Sequence, residues 1–122
     1  MGKMADLHAQ GMELSDEEKQ ALEEFGDWLE FSRALGRIFN EAQVLLEKKH
    51  RDYGPKNISD SPGGPLNGLR VRMHDKLARI NHLIDTGATP ENESLRDSFI
   101  DLANYSVIAL MVIDGEWGKS AK

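Results

Sequence analysis

Four side chains with acid or amide groups stand in a row late in the sequence: Glu93, Asp97, Asp101 and Asn104, at intervals of i, i+4, i+8 and i+11. On a helix these intervals put all four on one stripe. Carboxylates repeated at i, i+4 repel by about 0.2–0.5 kcal/mol per pair, so the row calls for a cation. One source is a hard divalent ion such as Mg²⁺, which takes one or two carboxylates together with substrate phosphates. The other is the preceding segment, where Arg72, Asp75, Lys76, Arg79 and His82 form a mixed-charge stripe. Lys76 and Arg79 suit phosphate oxygens, the arginine bidentately. Asp75 suits either a third carboxylate at a metal or an i+4 partner for Arg79. In the plainer alternative, Asp97 and Asp101 neutralise Arg72 and Arg79 and do nothing else. A third group lies in RDYGPKN, residues 51–57, where Tyr53 offers a ring that can stack on a base and Asn57 an amide that can read a base edge. The same stretch also reads as a helix end and a turn, with Tyr53 lying on the core. The sequence has no cysteine and no His-x-x-x-His spacing, which argues against thiol chemistry and a zinc site. It contains no phosphate-binding Gly-rich loop and no nucleophile elbow.

These residues need helices to hold them. Ser15 and Glu18 form a capping box ahead of an expected helix over Asp16–Glu30, whose apolar face is Ala21, Leu22, Phe25, Trp28 and Leu29. A second helix is expected over Ser32–Arg51, unless the two are one kinked rod. Tyr53-Gly54-Pro55 ends it, and GPKNISDSPGGP, residues 54–65, reads as a loop. A third helix is expected over Leu66–Asp85, stopped by Gly87, and a fourth over Pro90–Asp114, with Thr89 as N-cap and Pro90 at its first position. SVIALMVI, residues 106–113, is apolar all round and demands either a central position or a subunit interface. The expected fold class is all-α, an antiparallel four-helix bundle with short connections. Residues 1–14 read as a flexible arm and residues 15–122 as a single helical domain.

The bulk properties narrow the function further. The chain has 122 residues, enough for one core. Its longest apolar run, Val107–Ile113, is too short to span a bilayer, and its first residues lack the apolar centre of a secretory signal. A cytoplasmic protein with no membrane partner is the expectation. Charge is uneven: residues 1–31 hold nine acids and two bases, residues 32–82 ten bases and five acids, and residues 83–122 three bases and seven acids. Basic groups set beside acidic ones suit a small anion carried with a cation. Duplex nucleic acid is not expected, because it requires a continuous basic stripe.

Taken in order, KKHRDYGPKN, RVRMHDKLARINHLI and ESLRDSFIDLANYSVIAL resemble the phage and bacterial nucleotide modification associated domain 1 family, over about residues 40–114. That family is similar in helical pattern to the MazG-like all-α nucleoside triphosphate pyrophosphohydrolases. Those enzymes hold Mg²⁺ with an E-x-x-E pair on one helix and an E/D-x-x-D pair on a later one. The resemblance implies Asp75, Asp97 and Asp101 on the metal side and Lys48, Lys56, Lys76 and Arg79 on the phosphate side. It places Tyr53 and Asn57 on the base side; in a hydrolase reading Glu93 and Asp101 are the catalytic residues, with Glu93 assisting as base if it faces the metal. It further implies a homo-oligomer, a nucleotide ligand and, for a phage-encoded chain, residence in the host cytoplasm. This sequence departs from the pattern: Asp75 stands alone where MazG-like proteins have two acids, and Asp97 and Asp101 are four residues apart rather than three. The expected function is a Mg²⁺-dependent (deoxy)nucleoside triphosphate pyrophosphohydrolase. The alternatives are a non-catalytic protein that binds or sequesters a nucleotide or cyclic nucleotide, and a purely structural helical oligomer.

Overall fold

The computed structural model describes residues 13–118. Among these the chain is all-helical, with no strand and four helices: α1 Asp16–Tyr53, α2 Lys56–Ser59, α3 Pro65–Thr86 and α4 Leu95–Ile113. None of them is long and apolar enough to cross a membrane. The arm expected over residues 1–14 lies outside the described residues except for Glu13 and Leu14, which precede α1 without regular structure.

Four helices were expected, but these are not the same four. The first two merge into the 38-residue α1. Its start is the capping box read from the sequence: Ser15 Oγ accepts from the Glu18 backbone N–H at 3.1 Å, and Glu18 Oε1 accepts from the Ser15 N–H at 3.1 Å. No proline interrupts residues 16–53, and Gly26 and Gly36 each cost only about 1 kcal/mol relative to alanine, too little to break so long a helix. The rod stops where Gly54 takes a φ of +68°, a conformation that favours glycine, ahead of Pro55. The expected loop then contains the single turn α2, which buries Ile58.

The largest correction concerns α4. It does not start at Pro90: residues 91–93 are bends, and the N-cap is Ser94. Ser94 Oγ accepts from the Asp97 N–H at 3.0 Å, while the Asp97 carboxylate faces the Ser94 N–H at 3.4 Å. A reciprocal cap satisfies two otherwise unpaired donors, whereas a proline only presets one backbone angle, so the cap decides where the helix begins. Glu93 is thus outside the helix whose stripe it was expected to share. Residues 106–113 do not take the central position, one of the two alternatives expected for them, since within the chain Leu110 is 59% and Ile113 65% exposed.

The chain separates into two compact units, with the boundary between Phe39 and Asn40. In the first, the described residues are Glu13 to Ser15 and the start of α1, and none of them is buried. In the second, α3 and α4 pack along one another and α2 lies against α3. Ile58, Leu69 and Ile108 form its core cluster, with Leu46, Tyr105, Ala109, Val112 and Trp117 packed around it.

Candidate functional site

The second unit contains a cavity of about 380 Å³, within the size range of small-molecule sites. Its apolar wall is drawn from the core: Leu46, Ile58, Ile108 and the ring of Tyr105. Its polar wall comes from α4. Ser98, Asp101 and Asn104 are all buried, at spacings of three that keep them on one face. Asp101 and Asn104 line the cavity, and Ser98, outside the lining, is hydrogen-bonded to Glu93, which lines it. Asn104 is fixed by donating Nδ2–H to the Ala42 carbonyl at 3.1 Å.

Asp101 is the centre of the charge arrangement. Its Oδ1 lies 2.9 Å from Lys49 Nζ on α1, and its Oδ2 lies 2.9 Å from Lys76 Nζ on α3. Burial alone would push this carboxyl up, but the two ammonium groups outweigh burial and hold it below the usual carboxylate range. Lys76 also donates to both oxygens of Glu93, at 2.7 and 2.9 Å. Burial would lower the Lys76 ammonium, yet the two carboxylates prevail and raise it. Glu93 accepts from Ser98 Oγ at 2.8 Å and faces Arg79 Nε at 3.3 Å. Arg79 in turn donates to Ser98 Oγ at 3.2 Å and to the Glu93 backbone carbonyl. Although it lies outside the helix, Glu93 is thereby clamped beside Asp101.

The cation Arg72 enters from α3. It donates to the Asn57 carbonyl at 3.0 Å and to Ser61 Oγ at 3.3 Å, tying the α2 turn to α3. This approach requires Gly68, because a Cβ there would stand 2.2 Å from Ser61 Oγ and 3.2 Å from Arg72 Nη1. The aromatic contribution is Tyr53, 69% exposed at the end of α1, and Trp117, whose indole N–H donates to the Pro55 carbonyl at 3.1 Å. Trp117 also meets the His50 ring edge-on at 4.9 Å. Three cationic residues, Lys49, Arg72 and Lys76, thus line one cavity together with two carboxylate residues, Glu93 and Asp101, and with Tyr53, Tyr105 and Trp117.

Of the residues expected at the site, Tyr53, Asn57, Lys76, Glu93 and Asp101 line this cavity. Arg79 supports Glu93 from behind. Lys48 and Lys56 are exposed and are not part of the lining; the lysine that reaches the site is Lys49. The apolar stripe Ala42, Leu45, Leu46 carries the signal for it, because Lys49 is the next position on that face. Asn104 belongs to the stripe read from the sequence, and Ser98 was legible as the i−3 neighbour of Asp101. The sequence pattern marks Arg72 only as an ion-pair partner for the carboxylates of the last helix. Trp117 follows the last helix and leaves no periodic trace.

Magnesium fits these residues poorly. Asp97 is committed to the α4 cap, Asp75 is exposed and outside the cavity, and both oxygens of Asp101 are held by lysines. Among the described residues no group of three or more His, Asp or Glu side chains is placed to hold a metal ion. The plainer alternative of Asp97 and Asp101 paired with Arg72 and Arg79 is not what forms either, since the partners of Asp101 are Lys49 and Lys76.

A family model described as nucleotide modification associated domain 1 matches residues 49–113, more than half of the chain. The match begins at Lys49 and takes in the whole polar face of α4. Neither the curated proteins nor the solved structures contain a match.

Proposed function

This chain belongs to the nucleotide modification associated domain 1 family, and from that membership and the cavity we propose that it is a nucleotide-binding protein. One observation carries the reading: the same cavity is lined by the cations Lys49, Arg72 and Lys76, by the rings of Tyr53 and Trp117, and by the Asn57 amide. A nucleotide requires those three kinds of contact, for its phosphates, for the face of its base and for the edge of its base. In the free protein Glu93 and Asp101 hold Lys76 and Lys49 extended toward the cavity. An incoming phosphate then competes with carboxylates for ammonium groups that are already positioned, which lowers the entropy cost of ordering them. The surplus of cations over carboxylates favours an anionic ligand.

Binding without metal-dependent cleavage is the reading that these contacts support. Pyrophosphohydrolysis in the MazG manner rests on acids with open oxygens, and Asp75, Asp97 and Asp101 do not gather in that way. The test is a calorimetric titration with nucleoside mono-, di- and triphosphates and free nucleosides, with product analysis in Mg²⁺. Phosphorylated ligands should bind and nucleosides should bind weakly. Lys49→Ala or Lys76→Ala should each weaken binding about tenfold, the value of one charge-assisted hydrogen bond. Absence of binding to every nucleotide overturns the proposal. Release of pyrophosphate that stops in Asp101→Asn would replace it with the hydrolase.

A further inference from the structure

The packing of α3 against α4 divides the cavity into levels. Arg79 meets Ser98, Lys76 meets Asp101, and Leu69 clusters with Ile108. The two helices therefore run antiparallel in one register, which sets Arg72 level with Tyr105. Asp101 and Tyr105 are four residues apart, so their levels are separated by about 6 Å along the helix. The first level is ionic, with Asp101 held between Lys49 and Lys76. The second is aromatic. Tyr105 lines the cavity there, and Tyr53, one turn after Lys49, leads into the α2 turn to which Arg72 is bonded. Glu93 stands on the other side of the ionic level, bonded to Lys76 and to Ser98. The order along the cavity is aromatic, then ionic, then the Glu93 carboxylate.

Resting on the nucleotide reading above, we propose that the cavity selects a nucleoside 5′-monophosphate and that Glu93 rejects longer phosphate chains. Reach is the first reason. Six bonds separate the phosphorus of a monophosphate from its base nitrogen, a span of roughly 6–7 Å on the scale of the polypeptide backbone. A base stacked at the aromatic level thus places its own phosphate at Lys49 and Lys76. Each further phosphoryl group adds two bonds and carries the chain past the lysines to Glu93. Charge is the second reason. Three cations line the cavity, Lys49, Arg72 and Lys76, against the carboxylates of Glu93 and Asp101. A phosphate monoester brings a charge of about −1.5 to −2 at pH 7, and each added phosphoryl group brings more. Among the described residues no group of three or more His, Asp or Glu side chains is placed to hold a metal ion that would offset it. A second or third phosphate would meet Glu93 as a like charge, which is costly in a partly buried site.

The experiment is a calorimetric titration of the full chain in EDTA with the 5′-mono-, di- and triphosphates of adenosine, guanosine, cytidine, uridine and thymidine. For whichever base binds, the monophosphate should bind at least about tenfold tighter than the triphosphate. Glu93→Gln keeps the shape and removes the charge. It should bring the two affinities within about threefold, by tightening the triphosphate. A triphosphate that binds the parent chain as tightly as its monophosphate overturns the proposal and leaves the nucleotide reading in place. So does a preference that Glu93→Gln leaves unchanged. Absence of binding by every nucleotide removes both. The parent comparison alone decides should the variant not fold.

Discussion

Asp101 accepts two ammonium groups while only 6% exposed, and its titration and that of Lys76 act on stability at opposite ends of the pH scale. The Asp101 carboxyl is held down in the folded state, so its stabilising contribution is complete above the unfolded carboxylate value near 3.9. That contribution is lost as pH falls from there through the folded value. The Lys76 ammonium is held up, so its contribution is complete below the unfolded value near 10.4 and is lost as pH rises through the folded value. Urea unfolding of Asp101→Asn should show a loss of about 1–3 kcal/mol at neutral pH and a shallower decline in acid than the parent. Nucleotide affinity should survive, because this substitution removes a competitor for both lysines. Gly68 makes a different residue-scale prediction. Gly68→Ala forces Ser61 away from Arg72 and should destabilise the chain by about 1–3 kcal/mol, measured by urea unfolding. Adding Ser61→Gly, which removes the clashing side chain, should recover the part due to the clash.

At the scale of elements, the caps decided what could be read in advance. Ser15 with Glu18 lies beside an otherwise featureless tail and marks the start of α1 without a rival. Ser94 with Asp97 competes on paper with Thr89-Pro90, and the error of assigning the start to Pro90 moved Glu93 onto a helix face it does not occupy. The same cap explains why Asp97 is not part of the cavity. Ser94→Ala should cost about 1 kcal/mol of stability, as should Asp97→Ala, and both should leave nucleotide affinity at its parental value. A calorimetric titration alongside thermal unfolding checks this, since an Asp97 acting on ligand would change affinity as well as melting. The all-helical class was legible because α3 and α4 follow helical periodicity over long stretches. The junction within α1 was not, because no local signal distinguishes two helices from one across Phe31. The choice of Lys49 over Lys48 turned on one position of helical phase.

At the scale of the whole molecule, the stretch matched by the family model and the cavity lie together in the second unit, and the acidic stretch of residues 1–31 lies in the first. Leu110 and Ile113, exposed within the single chain, show that α4 does not take the central position that was one of the two expectations for it. The central claim remains the nucleotide site, and tryptophan emission tests it most directly. The chain has two tryptophans, of which Trp117 lines the cavity and Trp28 does not. In a Trp28→Phe background, titration with a nucleoside phosphate should give a saturable change in Trp117 emission, with affinity weakened about tenfold by Lys76→Ala. Emission that is unchanged by every nucleotide, or a change that Lys49→Ala and Lys76→Ala leave intact, would contradict it.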